Sequence, residues 1–141
     1  MMSSKIETRI EEIVEDLSLF DDELEKYEYL VDTGKALTPL SEDEKKEKYL
    51  IQGCTSQVWL ICEEKAGKLI FRGDSNTVIV KGLVALIIKI FSDLTPKEIV
   101  NFDMDRLAVL GLSEIITPNR QNGLKSMIER IKTYAKEACH D

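Results

Sequence analysis

Apolar residues recur at three- and four-residue spacing over Ile6, Ile10, Ile13, Val14 and Leu17, directly after Ser4-Lys5-Ile6-Glu7, an S-x-x-E capping box. The pattern predicts a helix running to about Leu17. Asp21 or Asp22 is placed to cap a second helix, with Leu24, Tyr27, Leu30 and Val31 on a common face and Gly34 positioned to stop it. After the turn at Leu37-Thr38-Pro39 the charged run Ser41 to Lys48 reads as a solvated loop or short exposed turn. The residue types then change. Val58-Trp59-Leu60-Ile61-Cys62 and Leu69-Ile70-Phe71, joined by a reversal at Lys65-Ala66-Gly67-Lys68, predict a hairpin.

Gly73-Asp74-Ser75-Asn76 closes the hairpin and supplies cap residues to Thr77–Leu94, which is Val- and Ile-rich but long enough to predict a buried helix rather than a strand. Thr95-Pro96-Lys97-Glu98 opens a short helix toward Phe102. Thr117-Pro118 repeats the device before an amphipathic stripe of Leu124, Met127, Ile128, Ile131 and Ala135. Strands grouped in one place with helices before and after them predict an α+β fold, a small antiparallel sheet covered by helices, as a single domain over residues 1–141.

Composition narrows the function classes. With 26 Asp and Glu against 19 Lys and Arg the formal charge is −7, which argues against nucleic-acid or anionic-membrane binding, since both need clustered basic residues. The longest apolar stretch, Val78 to Ile90, is broken by Lys81 and Lys89 and is too short to span a bilayer. Met1 to Lys5 lead directly into an acidic amphipathic segment without an apolar signal core, an expectation of a cytoplasmic protein. Three cysteines, Cys54, Cys62 and Cys139, make no disulfide framework and no CxxC spacing. His140 is the one histidine, which excludes paired-histidine metal sites and leaves a cysteine hydrolase no other imidazole as its base. These residues cannot supply four ligands to an iron–sulfur cluster. Neither a metal nor a cofactor is expected on the chain.

The candidate chemistry is in Ile51-Gln52-Gly53-Cys54-Thr55-Ser56-Gln57, a polar loop before an apolar strand. Gly53 permits a sharp turn that projects Cys54, and Ser56 and Gln57 are donors for a thiolate; the alternative is that Cys54 is a small buried residue without chemistry. Cys62 has the strand parity of Val58 and Leu60 and reads as packing, Trp59 and Phe71 as core, and Cys139 and His140 as solvated terminal residues.

Gly53-Cys54-Thr55-Ser56-Gln57-Val58-Trp59-Leu60 resembles the signature of the SufE/CsdE sulfur-acceptor family of iron–sulfur cluster assembly. Gly73-Asp74-Ser75, Ile79-Val80-Lys81-Gly82-Leu83, Thr95-Pro96 with Ile99-Val100-Asn101-Phe102, and Thr117-Pro118-Asn119-Arg120 with Gly123-Leu124 resemble further family blocks in the same order, from Tyr27 to Ile131 overall. The resemblance implies an α+β fold shared with IscU-type scaffolds and a sulfur-transfer protein rather than a stand-alone enzyme. Cys54 aligns with the persulfide-forming acceptor. The implied partners are a pyridoxal-phosphate-dependent cysteine desulfurase of the SufS/CsdA kind, which the chain would also stimulate, and a downstream SufBCD-like scaffold complex. The alternative is an allosteric activator or docking module of the desulfurase that carries no sulfur. The isolated chain is expected to be a monomer or weak homodimer. Gly53 is the expected loop hinge. Arg120 is either a stabiliser of the thiolate or persulfide or a surface arginine at a helix end, and Asp74 either marks a partner-facing turn or caps the following helix.

Overall fold

The computed structural model describes residues 4–52 and 56–138. Ser4 accepts the Glu7 N–H (3.1 Å) and starts α1 (Lys5–Ser18), whose buried face is Ile6, Ile10, Ile13 and Leu17. Asp22 caps α2 (Glu23–Lys35) by accepting the Glu25 N–H at 2.8 Å. Two features of α2 depart from expectation. Gly34 does not stop the helix but lies inside it, and of the expected apolar face only Leu30 is fully buried, whereas Leu24 is 67% exposed. At about 100° per residue Leu24 lies roughly 120° around the helix from Leu30, off the strip that reaches the core.

The strands β1 (Val58–Lys65) and β2 (Lys68–Ser75) pair antiparallel from Val58↔Ser75 to Lys65↔Lys68. Ala66 (φ 52°) and Gly67 (φ 78°) both take positive φ, the two-residue turn whose twist matches that of the strands. Val58 and Leu60 face the main core, while Trp59 and Ile61 join Leu40 in a second cluster on the other face. Residues 41–49 lie against that second face as two short 3-10 turns, Glu42–Glu44 and Glu47–Tyr49. The charged run is therefore a strap pinned to the hairpin. Glu44 hydrogen-bonds and ion-pairs with Arg72 of β2, and the Lys45 ammonium sits 5.4 Å from the centre of the Trp59 ring.

Both edges of the hairpin are occupied in part. On the β1 side Ile51 N–H donates to Val58 O (2.8 Å) and the Tyr134 hydroxyl to Leu60 O (2.8 Å). On the β2 side Leu69 N–H donates to Leu94 O (2.8 Å), Asp93 N–H to Leu69 O (2.7 Å) and Phe71 N–H to the Ser92 hydroxyl (2.9 Å).

The expected central helix forms as α3 (Val78–Phe91), with ten of its fourteen residues buried. It stops short of Leu94 because Ser92 leaves the helix to serve the β2 edge and Asp93 takes φ 64°. Arg9 of α1 donates to Ile90 O (2.9 Å) and Ser92 O (2.6 Å), satisfying carbonyls at the helix end. The Thr95/Glu98 capping box opens α4 (Pro96–Val100). The connection that follows contains 3-10 turns at Met104–Leu110 and Leu112–Glu114, hinged at Gly111 with φ 65°. Finally α5 (Pro118–Ala138) buries Gly123, Met127, Ile131 and Ala135. The α+β expectation is met, with a two-stranded sheet. Among the described residues no helix is long and apolar enough to cross a membrane.

The tightest contact is between helix backbones. A Cβ on Gly34 would lie 2.6 Å from Gly82 N, and one on Gly82 only 2.2 Å from Leu30 O, so α2 and α3 meet at a distance that only glycine allows. Alanine at position 82 gains about 1 kcal/mol of helix propensity but cannot displace a carbonyl, and overpacking costs about 1–3 kcal/mol. Gly82→Ala is expected to lower the urea midpoint with little change in slope, a net loss of up to about 2 kcal/mol. The Arg72 hydrogen bonds lower the Glu44 carboxyl from 4.5 to about 2. A carboxylate depressed in the folded state stabilises above its unfolded value, and that contribution fades as pH falls from about 4.5 toward 2. The Tm difference between wild type and Glu44→Gln should therefore shrink across that window; a constant difference would assign the effect to something other than the charge.

Candidate functional site

Gly53, Cys54 and Thr55, the expected hinge and acceptor among them, lie outside the described residues, and only the segments on either side of them are described. The chain enters the loop through Leu50 and Ile51. Leu50 O accepts from Arg130 Nη2 at 3.0 Å, while Ile51 is buried and tied to Val58 as described above. The chain leaves it through Ser56 and Gln57, and both are held by the turn between β2 and α3. Asn76 Oδ1 accepts the Gln57 N–H (3.1 Å), while the Ser75 hydroxyl (2.8 Å) and the Asn76 N–H (3.3 Å) donate to Gln57 O. The backbone N–H and C=O of Gln57 are thereby satisfied.

Ser56 is where distant parts of the chain meet. Its hydroxyl accepts from Thr77 Oγ1 at 2.7 Å and from Arg120 Nη1 at 2.9 Å, across sixty-four positions of sequence. Arg120 is in the first turn of α5, where its own N–H donates to the Thr117 hydroxyl at 3.3 Å. Its guanidinium thus reaches a residue two positions after Cys54. With Arg130 at Leu50, one helix bonds the chain on both sides of the loop.

Asp74 contradicts both expectations for it. It is 3% exposed, hence no partner-facing residue, and the residue preceding α3 is Thr77, which makes no side-chain cap bond. Its Oδ1 accepts the Ser75 N–H (2.8 Å) and its Oδ2 the Leu40 N–H (3.1 Å), with Lys81 Nζ at 3.5 Å and Lys45 Nζ at 3.9 Å. The buried carboxylate is thereby matched by two N–H donors and two ammonium groups. The sequence reading has Asn76 as a cap residue and Thr77 as the start of the following helix, and joins neither to the loop. The polar cluster Asp74-Ser75-Asn76-Thr77, more polar than one helix cap needs, was the available signal.

Cys62 is half-buried on β1 and packs partly against the core. Burial, with the nearby Glu64 and Glu63 carboxylates, pushes its thiol up to about 11. Cys139 and His140 lie outside the described residues. Among the described residues no cluster of three or more His, Cys, Asp or Glu is placed to hold a metal ion.

Residues 11–135 match the family model SufE, described as the Fe-S metabolism associated domain. The chain belongs to the SufE family. Membership places it in Fe–S metabolism, and the resemblance carried by the Gly53–Leu60 block and its companions is the same assignment. Among solved structures, this SufE-family chain is similar to the solution structure of a hypothetical protein from Thermus thermophilus. The two share 17% identity with a TM-score of 0.75, over 92% of this chain and 95% of that one, which establishes a common fold.

Because the Cys62 thiol stays protonated far above neutrality, iodoacetamide at pH 7.5 is expected to leave Cys62 of the native protein largely unmodified and to label it on unfolding. Peptide mass mapping reads this directly. Native labelling of Cys62 at the rate of a free thiol would contradict the burial argument.

Proposed function

We propose that this protein accepts sulfane sulfur on Cys54 from a pyridoxal-phosphate-dependent cysteine desulfurase, stimulates that enzyme by clearing its persulfide, and passes the sulfur to an Fe–S scaffold complex. The observation that carries this reading is the bond from Arg120 to Ser56, which brings the Thr117–Arg120 block onto the Gly53–Leu60 block. Membership in the SufE family supports the sulfur chemistry.

The reaction needs no cofactor on this chain. The Cys54 thiolate attacks the outer sulfur of the desulfurase persulfide; a new S–S bond forms on Cys54, the old one breaks, and the desulfurase cysteine leaves as a thiolate. One sulfane sulfur changes hands and the pair of proteins undergoes no net oxidation. Both the attacking thiolate and the product persulfide are anions, and a guanidinium close to the loop favours both. Arginine suits this task because its charge is permanent and its five N–H donors leave others free to meet an anion while one holds Ser56. Exchange of this kind requires reduced thiols, consistent with a cytoplasmic protein.

Intact-protein mass spectrometry tests the reading after incubation with a cysteine desulfurase, pyridoxal phosphate and L-cysteine in the absence of reductant. Wild type should gain one sulfur atom, removable by dithiothreitol, and Cys54→Ser should gain none. No adduct on wild type, with an active desulfurase and demonstrated binding, would replace the carrier by a stimulator that holds no sulfur.

A further inference from the structure

Among the described residues the polar or charged side chains that are buried are Asp74 and Ser75, adjacent in sequence and placed where the sheet meets the loop. A buried carboxylate is a poor route to stability, because desolvation offsets most of what its partners return. Its position gives it another use. Asp74 ties four parts of the fold to one point: Leu40 before the strap, Lys45 within the strap, Lys81 in α3, and the backbone of Ser75. Ser75, so oriented, donates its hydroxyl to Gln57 O and accepts the Thr77 N–H at 3.3 Å. Thr77 in turn holds Ser56, on which Arg120 also converges.

We infer that Asp74 and Ser75 are positioning residues for sulfur transfer: they set the backbone at Ser56–Gln57 and, through Thr77 and Ser56, the placement of the Arg120 guanidinium. This rests on the sulfur-acceptor function proposed above. The carboxylate fixes the Ser75 N–H from one side while its two lysines draw in the strap and α3, so the Ser75 hydroxyl meets Gln57 O at one distance and angle. Loss of either link leaves the chemistry's groups present but loosely placed, and a misplacement of about 1 Å is sufficient to cost a large factor in rate.

The experiment is single-turnover persulfidation of wild type, Asp74→Asn and Ser75→Ala by a cysteine desulfurase charged with L-cysteine, read by intact mass against desulfurase concentration. Circular dichroism at the assay temperature gives the folded fraction. The expected result is a rate at saturating desulfurase about tenfold lower in both variants, per folded molecule, with the half-saturating concentration within about twofold of wild type. A purely structural role would lower Tm while leaving that saturated rate unchanged, and this result would overturn the inference. So would a change confined to the half-saturating concentration. Should Asp74→Asn fail to fold, Ser75→Ala decides alone, since it keeps the carboxylate and its lysines. Absence of an adduct on wild type removes both this inference and the carrier function; equal saturated rates in all three proteins remove the inference alone.

Discussion

Helix α3 is apolar on nearly every side, and the remaining architecture follows from the need to keep water away from it. Its mean composition is that of a core rather than of a surface, so one neighbouring layer is insufficient: α1, α2, the hairpin and α5 each take a side. The closest of these contacts uses glycine against glycine, where α2 and α3 touch through main chain at Gly34 and Gly82. The ends of α3 are tied as firmly as its sides. Arg9 closes the C-terminal carbonyls, and at the other end Thr77 and Lys81 enter the polar network around Asp74.

That arrangement makes the candidate site an extension of the core. The turn between β2 and α3 begins in the sheet, ends in the buried helix and holds Ser56 and Gln57 on the way. Helix α5 supplies the second support: its buried stripe of Gly123, Met127, Ile131 and Ala135 fixes the opposite face, from which Arg120 and Arg130 reach Ser56 and Leu50. Elements packed for other reasons thus hold the chain on either side of the candidate loop.

Much of the fold was legible because its signals are local. The Ser4 cap and the Thr95 capping box, the residue change at Val58, the Ala66-Gly67 reversal and the length of the Val78–Phe91 run each describe their own neighbourhood. What was misread depended on distance in sequence. Gly34 looks like a helix stop until Gly82 is beside it, and Asp74 looks like a cap until Leu40, Lys45 and Lys81 are found around it; residues 41–48 are the exposed turns expected of them, but their anchoring to Arg72 and Trp59 has no local signal. The candidate loop stood out by its composition, but which residues flank it in space, Thr77 and Arg130 above all, no spacing could give.

The occupied edges of the hairpin have a consequence for the protein's life at high concentration. A two-stranded sheet ordinarily offers two rows of unpaired peptide groups, each a template on which another chain can add a strand and begin a fibre. Here the segments around Ile51 and Tyr134 occupy sites on one row and those around Ser92 and Leu94 on the other, while the strap shields Trp59 and Ile61. The most β-prone stretch of the chain is therefore kept out of reach of its copies, and its aggregation requires these covers to come away first.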